Sequence, residues 1–417
     1  VLRPDSHERK RSKMKACNGG VCAPAGFRAA GVHCGIRKNK SKKDLALIYS
    51  DAPCAAAAVY TQNLVKGAPI TVTRENIADG CAQAVLCNSG NANTCNADGP
   101  AVARRMCELA ASACGLDPRD VIVASTGVIG QRLDISPIEA SIGALKNALS
   151  ETGSRDAAEA IMTTDTARKE VAVAFTVGGV ECRLGGIAKG SGMIHPNMAT
   201  MLVFLTTDCA ISSELLQKAL AADAADSFNM ISIDGDTSTN DMVSILANGK
   251  AGNPPITAEG PDYDAFAAAL AFVTRTLCRS IAKDGEGATK LLECRVSGAR
   301  SLTDARTVAK SIICSSLVKA AMFGADANWG RVLCAIGYSG ADTDPHGVDV
   351  SFSSEAGTVH VCEKGAGVEF SEETAKAVLS ADEIRIDVTL HDGSAEATAW
   401  GCDLTYDYVR INGDYRT

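Results

Sequence analysis

The run "MLVFL" at residues 201–205 constrains this 417-residue chain more than any other stretch. Five consecutive apolar residues leave no face for water, so the segment reads as a strand buried on both sides. Such a strand needs a covering layer above and below it. It is entered through "KGSGMIHPNMAT", a loop dense in turn residues that ends at Ala199–Thr200. A threonine therefore stands at the mouth of a buried strand.

Further apolar runs read as strands: "DLALIYS" (44–50), "AAAAVYT" (55–61), "AQAVLCNSG" (82–90), "DVIVAST" (120–126), "VAVAFTVGG" (171–179), "IRIDVTLHDG" (384–393) and "AEATAWGCDL" (395–404). Helical spacing separates them. "GPAVARRMCELAASACG" (99–115) has apolar residues at i, i+3 and i+4 and ends on Gly. "SPIEASIGALKNALSETG" starts with Ser136 as the expected N-cap and Pro137 at the first position. "SELLQKALAADAADSF" and "DYDAFAAALAFVTRTLCRSIAKDG" are also helical. "SLVKAAMFGADANWGRVLCAIGYSG" is helical at both ends, with a Gly/Asn break. This mixture predicts an α+β or α/β chain whose sheets are covered by helices.

A net charge of −8 argues against a nucleic-acid partner, which requires a basic face. No apolar run is read as a membrane span. The basic N-terminus lacks the apolar core of a signal peptide. Met14 is a candidate start, which would make residues 1–13 a disordered extension. The 17 cysteines are odd in number, scattered and without a CxxC pair. They read as small buried hydrophobes in a reducing cytoplasm rather than as metal ligands or disulfides.

Thr200 alone reads equally as a β-branched residue opening a strand. The Gly- and Pro-restricted loop before it suggests more. A strained peptide ahead of Thr invites attack by its own hydroxyl, an N-to-O acyl shift and hydrolysis. The new α-amine has an ordinary pKa of about 8, so it can act as base for its own hydroxyl. "ASTGVIGQRLD" (124–134) follows a strand with a Gly-rich turn, where the Thr126 hydroxyl and the Gly127 N–H make a candidate oxyanion hole. "IMTTDTARKE" (161–170) and Lys189 suit a carboxylate-bearing substrate, and Glu286 in "AKDGEGATK" suits an ammonium. Taken singly, each also reads as a turn or a solvated charge. "CNSGNANTC" (87–95) and "ADANWGR" (325–331) read as tight αL corners. No P-loop and no GxSxG elbow occurs.

In order along the chain, "GFRAAGVHCGIR", "NSGNANTC", "STGVIG", "MTTDT", "KGSGMIHPNMATML", "FNMISIDGDTSTND", "GEGATK", "GADANWGR" and "DLTYDYVRINGDYRT" closely resemble the glutamate N-acetyltransferases, or ornithine acetyltransferases, of arginine biosynthesis. The resemblance runs from about Met14 to the end. It implies a layered α/β sandwich like that of N-terminal-nucleophile enzymes, with its own topology. It implies self-cleavage between Ala199 and Thr200 into fragments 14–199 and 200–417, assembled as two copies of each. Thr200 would carry the acetyl group, with Thr126 and Gly127 as oxyanion hole. Substrate contacts would come from Thr163, Lys189, Thr200, Glu286, Asn412 and Thr417. The expected reaction moves acetyl from N²-acetyl-ornithine to glutamate, with no cofactor and with acetyl-CoA as a candidate second donor. The alternatives are an aminopeptidase or amidase of related fold, and a binding protein that shares only the fold.

Overall fold

The computed structural model describes residues 14–195 and 201–414. Among these, the strands form two sheets. In the nine-stranded sheet the order is Lys15–Cys17, Lys169–Val177, Val180–Lys189, Leu202–Thr207, Met242–Ala247, Leu45–Tyr60, Cys81–Asn88 and Val121–Ser125, with Phe27–Val32 also paired to Leu45–Tyr60. The seven-stranded sheet runs Ala366–Gly367, Gly357–Glu363, Asp349–Ser354, Glu383–Thr389, Leu291–Ala299, Ala395–Cys402 and Ile231–Ser232. The arrangement is a layered α+β one, as the resemblance implied and within the two classes that the residue patterns left open.

The strand Leu202–Thr207 is buried at every residue, as its unbroken apolar run demands. It sits between Val180–Lys189, antiparallel, and Met242–Ala247, parallel. In that register Leu202 lies beside both Lys189 and Met242. Strands from either side of position 199 therefore interleave in one sheet. The described residues on either side of that position share hydrogen bonds and a core.

The helix Pro261–Lys283 packs on Lys169–Val177 and Val180–Lys189 of the first sheet and reaches Ala395–Cys402 and Leu291–Ala299 of the second. Phe266, Leu270, Val273, Leu277 and Ile281 are its buried stripe, and Phe266 meets Phe175 edge-on with centroids 6.2 Å apart. By length and composition this 23-residue helix is apolar enough to span a membrane, which inspection of the runs missed. Half of its most apolar 18-residue window is buried between the sheets, so its apolarity is accounted for as core. On the other face of the first sheet, Ser154–Ile161 packs against Phe27–Val32 and Leu45–Tyr60.

Three local readings change. The runs at 44–50 and 55–61 are one strand, Leu45–Tyr60, whose pairing with Cys81–Asn88 shifts register between Tyr49 and Cys54. Pro53 lies in that interval and has no N–H to donate, so the ladder skips there. Ser136 does not cap its helix. It is the first helical residue, and its N–H and hydroxyl both donate to Asp134 Oδ1, at 3.0 and 2.8 Å. The N-cap position falls on Ile135, whose apolar side chain makes no capping bond. Of the cysteines, nine are buried as small hydrophobes, whereas Cys81, Cys95 and Cys334 are exposed.

Candidate active site

A cavity of about 260 Å³ opens where the strand ends meet. Thr126, Gly127, Thr163, Lys189, Glu286 and Asn412 all line it, together with Met201 and Leu202. Six residues singled out in the sequence thus converge from five separate segments. Ala199, Thr200 and Thr417 lie outside the described residues. Met201 and Leu202, the next two residues after position 200, form part of the cavity wall.

Thr126 and Gly127 follow the buried strand Val121–Ser125. The Thr126 N–H donates to the Asn88 carbonyl at 2.9 Å, which fixes the turn. Gly127 has φ +125°, a region that L side chains avoid, and a Cβ there would lie 2.7 Å from the Gly90 carbonyl carbon. Only glycine fits. The Thr126 hydroxyl accepts from Lys189 Nζ at 3.3 Å. With its acceptor side engaged, its own hydrogen is left to point elsewhere.

The Asn-rich loop at 88–95 does more than turn corners, although Asn93 and Cys95 do adopt positive φ. Asn88 Nδ2 donates to Ser125 Oγ at 2.7 Å. Asn240 Nδ2 donates to the carbonyls of Ala92 and Ser125, at 2.6 and 3.0 Å, and its Oδ1 accepts from Thr94 Oγ1 at 2.6 Å. This network clamps the Thr126–Gly127 turn from behind. The loop at 325–331 does not line the cavity.

Lys189 ends its strand almost fully buried. Burial pulls its ammonium below the ordinary lysine value, and the charges of Asp165 and Asp241 work against that pull. Asp165 is buried too. Its Oδ1 accepts from Lys169 Nζ and from the Gly190 N–H, both at 2.7 Å, and its Oδ2 accepts from the Thr163 N–H at 2.9 Å. Burial opposes its ionisation, but Lys169 and Lys189 hold the carboxyl at about 2. Sequence reasoning missed Asp165, Asn240 and Asp241. Their only signal was a lone acid or amide inside the Thr-rich stretches "MTTDT" and "DTSTND".

Glu286 approaches from the turn after Pro261–Lys283. Its N–H donates to the Ser191 carbonyl at 2.9 Å, and its Oε2 accepts from Asn412 Nδ2 at 2.8 Å. Asn412 rides on the helix Tyr406–Asp414, 126 residues away in sequence. A Cβ on Gly192 would lie 2.4 Å from the Glu286 carboxylate. Glycine at 192 makes room for that carboxylate.

The segment before position 196 is pinned to the "SIDGDTSTND" loop. Asp234 accepts from the N–H groups of Met193 and Ile194, at 2.5 and 2.8 Å, and Thr237 Oγ1 donates to the His195 carbonyl at 2.8 Å. Among the described residues of this loop the positive φ is at Met193, +56°, and not at Gly190 or Gly192, while Pro196 lies outside the described residues. His195 Nδ1 lies 3.1 Å from Ser232 Oγ, and burial lowers its pKa to about 4, so the ring is neutral at pH 7.

The ArgJ family model matches residues 28–417. The arginine biosynthesis bifunctional protein ArgJ of Symbiobacterium thermophilum is 55% identical, over 97% of this chain and 100% of its own length. Its counterpart in Bacillus subtilis is 48% identical, over 96% of this chain and 97% of its own. A solved ArgJ chain from Bacillus halodurans is 49% identical and covers 51% of this chain and 98% of that one, with a TM-score of 0.49. Identity near one half, sustained across nearly the whole length of relatives from separate genera, leaves one assignment: the chain belongs to the ArgJ family.

Proposed function

We propose that this chain is a self-cleaving acetyltransferase of arginine biosynthesis. In this reading it moves acetyl from N²-acetyl-ornithine to glutamate through an ester on Thr200. The observation that carries the reading is the convergence of Thr126, Gly127, Thr163, Lys189, Glu286 and Asn412 on one cavity walled by Met201 and Leu202. The relatives named above, called bifunctional proteins of arginine biosynthesis, support the pathway.

Cleavage between Ala199 and Thr200 would leave Thr200 with a free α-amine at the end of a buried strand. Interleaved pairing across position 199 would keep fragments 14–199 and 200–417 together. The amine takes the proton of its own hydroxyl, and Oγ1 attacks the acetyl carbonyl. The resulting oxyanion accepts from the Thr126 hydroxyl and the Gly127 N–H. When the C–N bond breaks, the Thr200 ammonium returns its proton to the departing α-amine of ornithine. The glutamate α-amine then attacks the ester carbonyl, and Thr200 Oγ1 leaves with a proton. Acetyl passes between two amines through an ester, so the chemistry calls for no resident cofactor.

In the same reading Lys189 pairs with the substrate carboxylate, and Glu286, oriented by Asn412, holds the distal ammonium of ornithine. Acetyl-CoA serves as the second donor, a role that fits the word bifunctional in the relatives' names. The working form is cytoplasmic, with two copies of each fragment.

The test joins two assays. Purified protein should run as two bands on a denaturing gel, with one N-terminus at Thr200, whereas Thr200→Ala should run as one band. Mixed with N²-acetyl-ornithine and glutamate, it should release ornithine and N-acetylglutamate. Release of acetate with no N-acetylglutamate would favour the amidase alternative instead.

A further inference from the structure

Residues 37–43, "RKNKSKK", hold five cations and no acid in a chain whose net charge is −8. They lie in the loop between Phe27–Val32 and Leu45–Tyr60, and the base of that loop is fixed from within. The Asp44 carboxylate is fully buried and accepts from the N–H groups of Cys34, Gly35 and Arg37, at 2.6, 3.3 and 2.9 Å. The Arg37 guanidinium donates to the Ser89 carbonyl, from Nε at 2.8 Å, and to the Met162 carbonyl. Ile36 packs so closely on Gly90 that a Cβ there would lie 2.3 Å from its Cγ2.

Both anchors touch the framework of the cavity. The Gly90 backbone lies against Gly127, and Met162 precedes Thr163; Gly127 and Thr163 both line the cavity. Lys43 is engaged with Asp156 and Glu159. Lys38, Lys40 and Lys42 are exposed and form no ion pair with any described residue. Three unpaired ammonium groups are thus carried on a loop tied to the oxyanion turn and to the Thr163 turn.

N²-acetyl-ornithine and glutamate leave these charges unused. A cavity of about 260 Å³ suits an amino acid and is smaller than the roughly 300–1,000 Å³ that encloses a drug-sized ligand. The second donor of the proposed function is far larger. Its acetyl thioester ends a long pantetheine arm, and its nucleotide carries a diphosphate and a 3′-phosphate. The arm can enter such a cavity, whereas the phosphates stay at the surface, where cations must meet them.

We infer that Lys38, Lys40 and Lys42 anchor the phosphates of acetyl-CoA beside the cavity while its acetyl-pantetheine arm reaches in to Thr200. The inference rests on the proposed function and gives its second donor a binding site. Lysine ammoniums act here as point charges, which demand no fixed phosphate geometry. The pinned loop base lowers the ordering cost of binding. The transfer is the chemistry already described: Thr200 Oγ1 attacks the thioester carbonyl, the C–S bond breaks, and the leaving thiolate takes the proton of the Thr200 ammonium.

The experiment is steady-state acetylation of glutamate by the full chain, with acetyl-CoA, S-acetyl-pantetheine or N²-acetyl-ornithine as donor. S-acetyl-pantetheine has the same arm and no phosphate. Wild type is compared with the triple variant Lys38→Gln, Lys40→Gln, Lys42→Gln. Each exposed ion pair contributes a factor of about 1.4 to 5, so KM for acetyl-CoA should rise about tenfold, while KM for the other two donors stays within about twofold. Added salt should raise KM for acetyl-CoA in wild type and act far less on the triple variant. An unchanged KM for acetyl-CoA, or equal rises for all three donors, overturns the inference. If the triple variant does not fold, wild type decides alone: KM must climb with salt more steeply for acetyl-CoA than for S-acetyl-pantetheine, and parallel slopes end the inference. Wild type that uses acetyl-ornithine but neither thioester removes the second donor and the inference with it. Wild type that transfers acetyl from no donor would instead remove the proposed function itself.

Discussion

Thr126→Val separates the oxyanion role from the structural one. Valine keeps the branched shape and removes only the hydroxyl. That hydroxyl accepts from Lys189 Nζ at 3.3 Å, a long bond, so its loss should cost stability at the low end of the usual range, about 0.5–1 kcal/mol. Lys189 keeps the charges of Asp165 and Asp241, which limits the damage. The turn is held by the Thr126 N–H to the Asn88 carbonyl, a contact valine preserves. The melting temperature should therefore fall by a few degrees at most. Catalysis is a different matter. Losing one preorganised oxyanion donor typically costs about 10²–10³ in kcat, or about 2.7–4 kcal/mol. The assay is steady-state formation of N-acetylglutamate, using only material shown by mass spectrometry to start at Thr200, because an uncleaved precursor would mimic the loss. kcat should drop by that factor with KM for both substrates nearly unchanged. A cleaved, folded Thr126→Val enzyme with wild-type kcat would show that the hydroxyl stabilises no oxyanion.

Gly192→Ala should move the Glu286 carboxylate, since the new methyl would sit 2.4 Å from it, and KM for acetyl-ornithine should rise several-fold with little change in melting temperature. Glu286→Gln should raise KM for acetyl-ornithine more than for glutamate, which has no distal ammonium; equal rises would refute the end-assignment. Gly127→Ala should destabilise by about 1–3 kcal/mol in thermal unfolding, because φ +125° and the Gly90 backbone leave a Cβ no room; an unchanged melting temperature would show that the turn relaxes. The Asp165 carboxyl is depressed from its ordinary 3.8 to about 2, so its contribution to stability is present above pH 4 and is lost as pH falls through 2. Acid unfolding followed by circular dichroism should be less steep across that window in Asp165→Asn than in wild type.

What the sequence determined by itself was local. The unbroken "MLVFL" run could only be a strand covered on both faces, and Leu202–Thr207 is buried throughout. Helical spacing predicted Gly99–Cys114 and Ser213–Asp226 closely, because amphipathic periodicity is a property of neighbouring residues. Ordered motifs also marked Thr126, Gly127, Thr163, Lys189, Glu286 and Asn412 as candidates. Their meeting in one cavity was decided by tertiary structure alone. Asn412 reaches Glu286 across 126 positions, and Asn240 reaches Ser125 across 115. No periodicity encodes such contacts, which depend on strands closing in one register. The joining of 44–50 and 55–61 into Leu45–Tyr60 needed a partner strand to bridge the Pro53 interruption. Asp165 was the least legible, because one acid among threonines looks the same whether water or two buried lysines surround it. Burial creates the difference: only when the chain removes water from around Asp165, Lys169 and Lys189 do their charges govern one another.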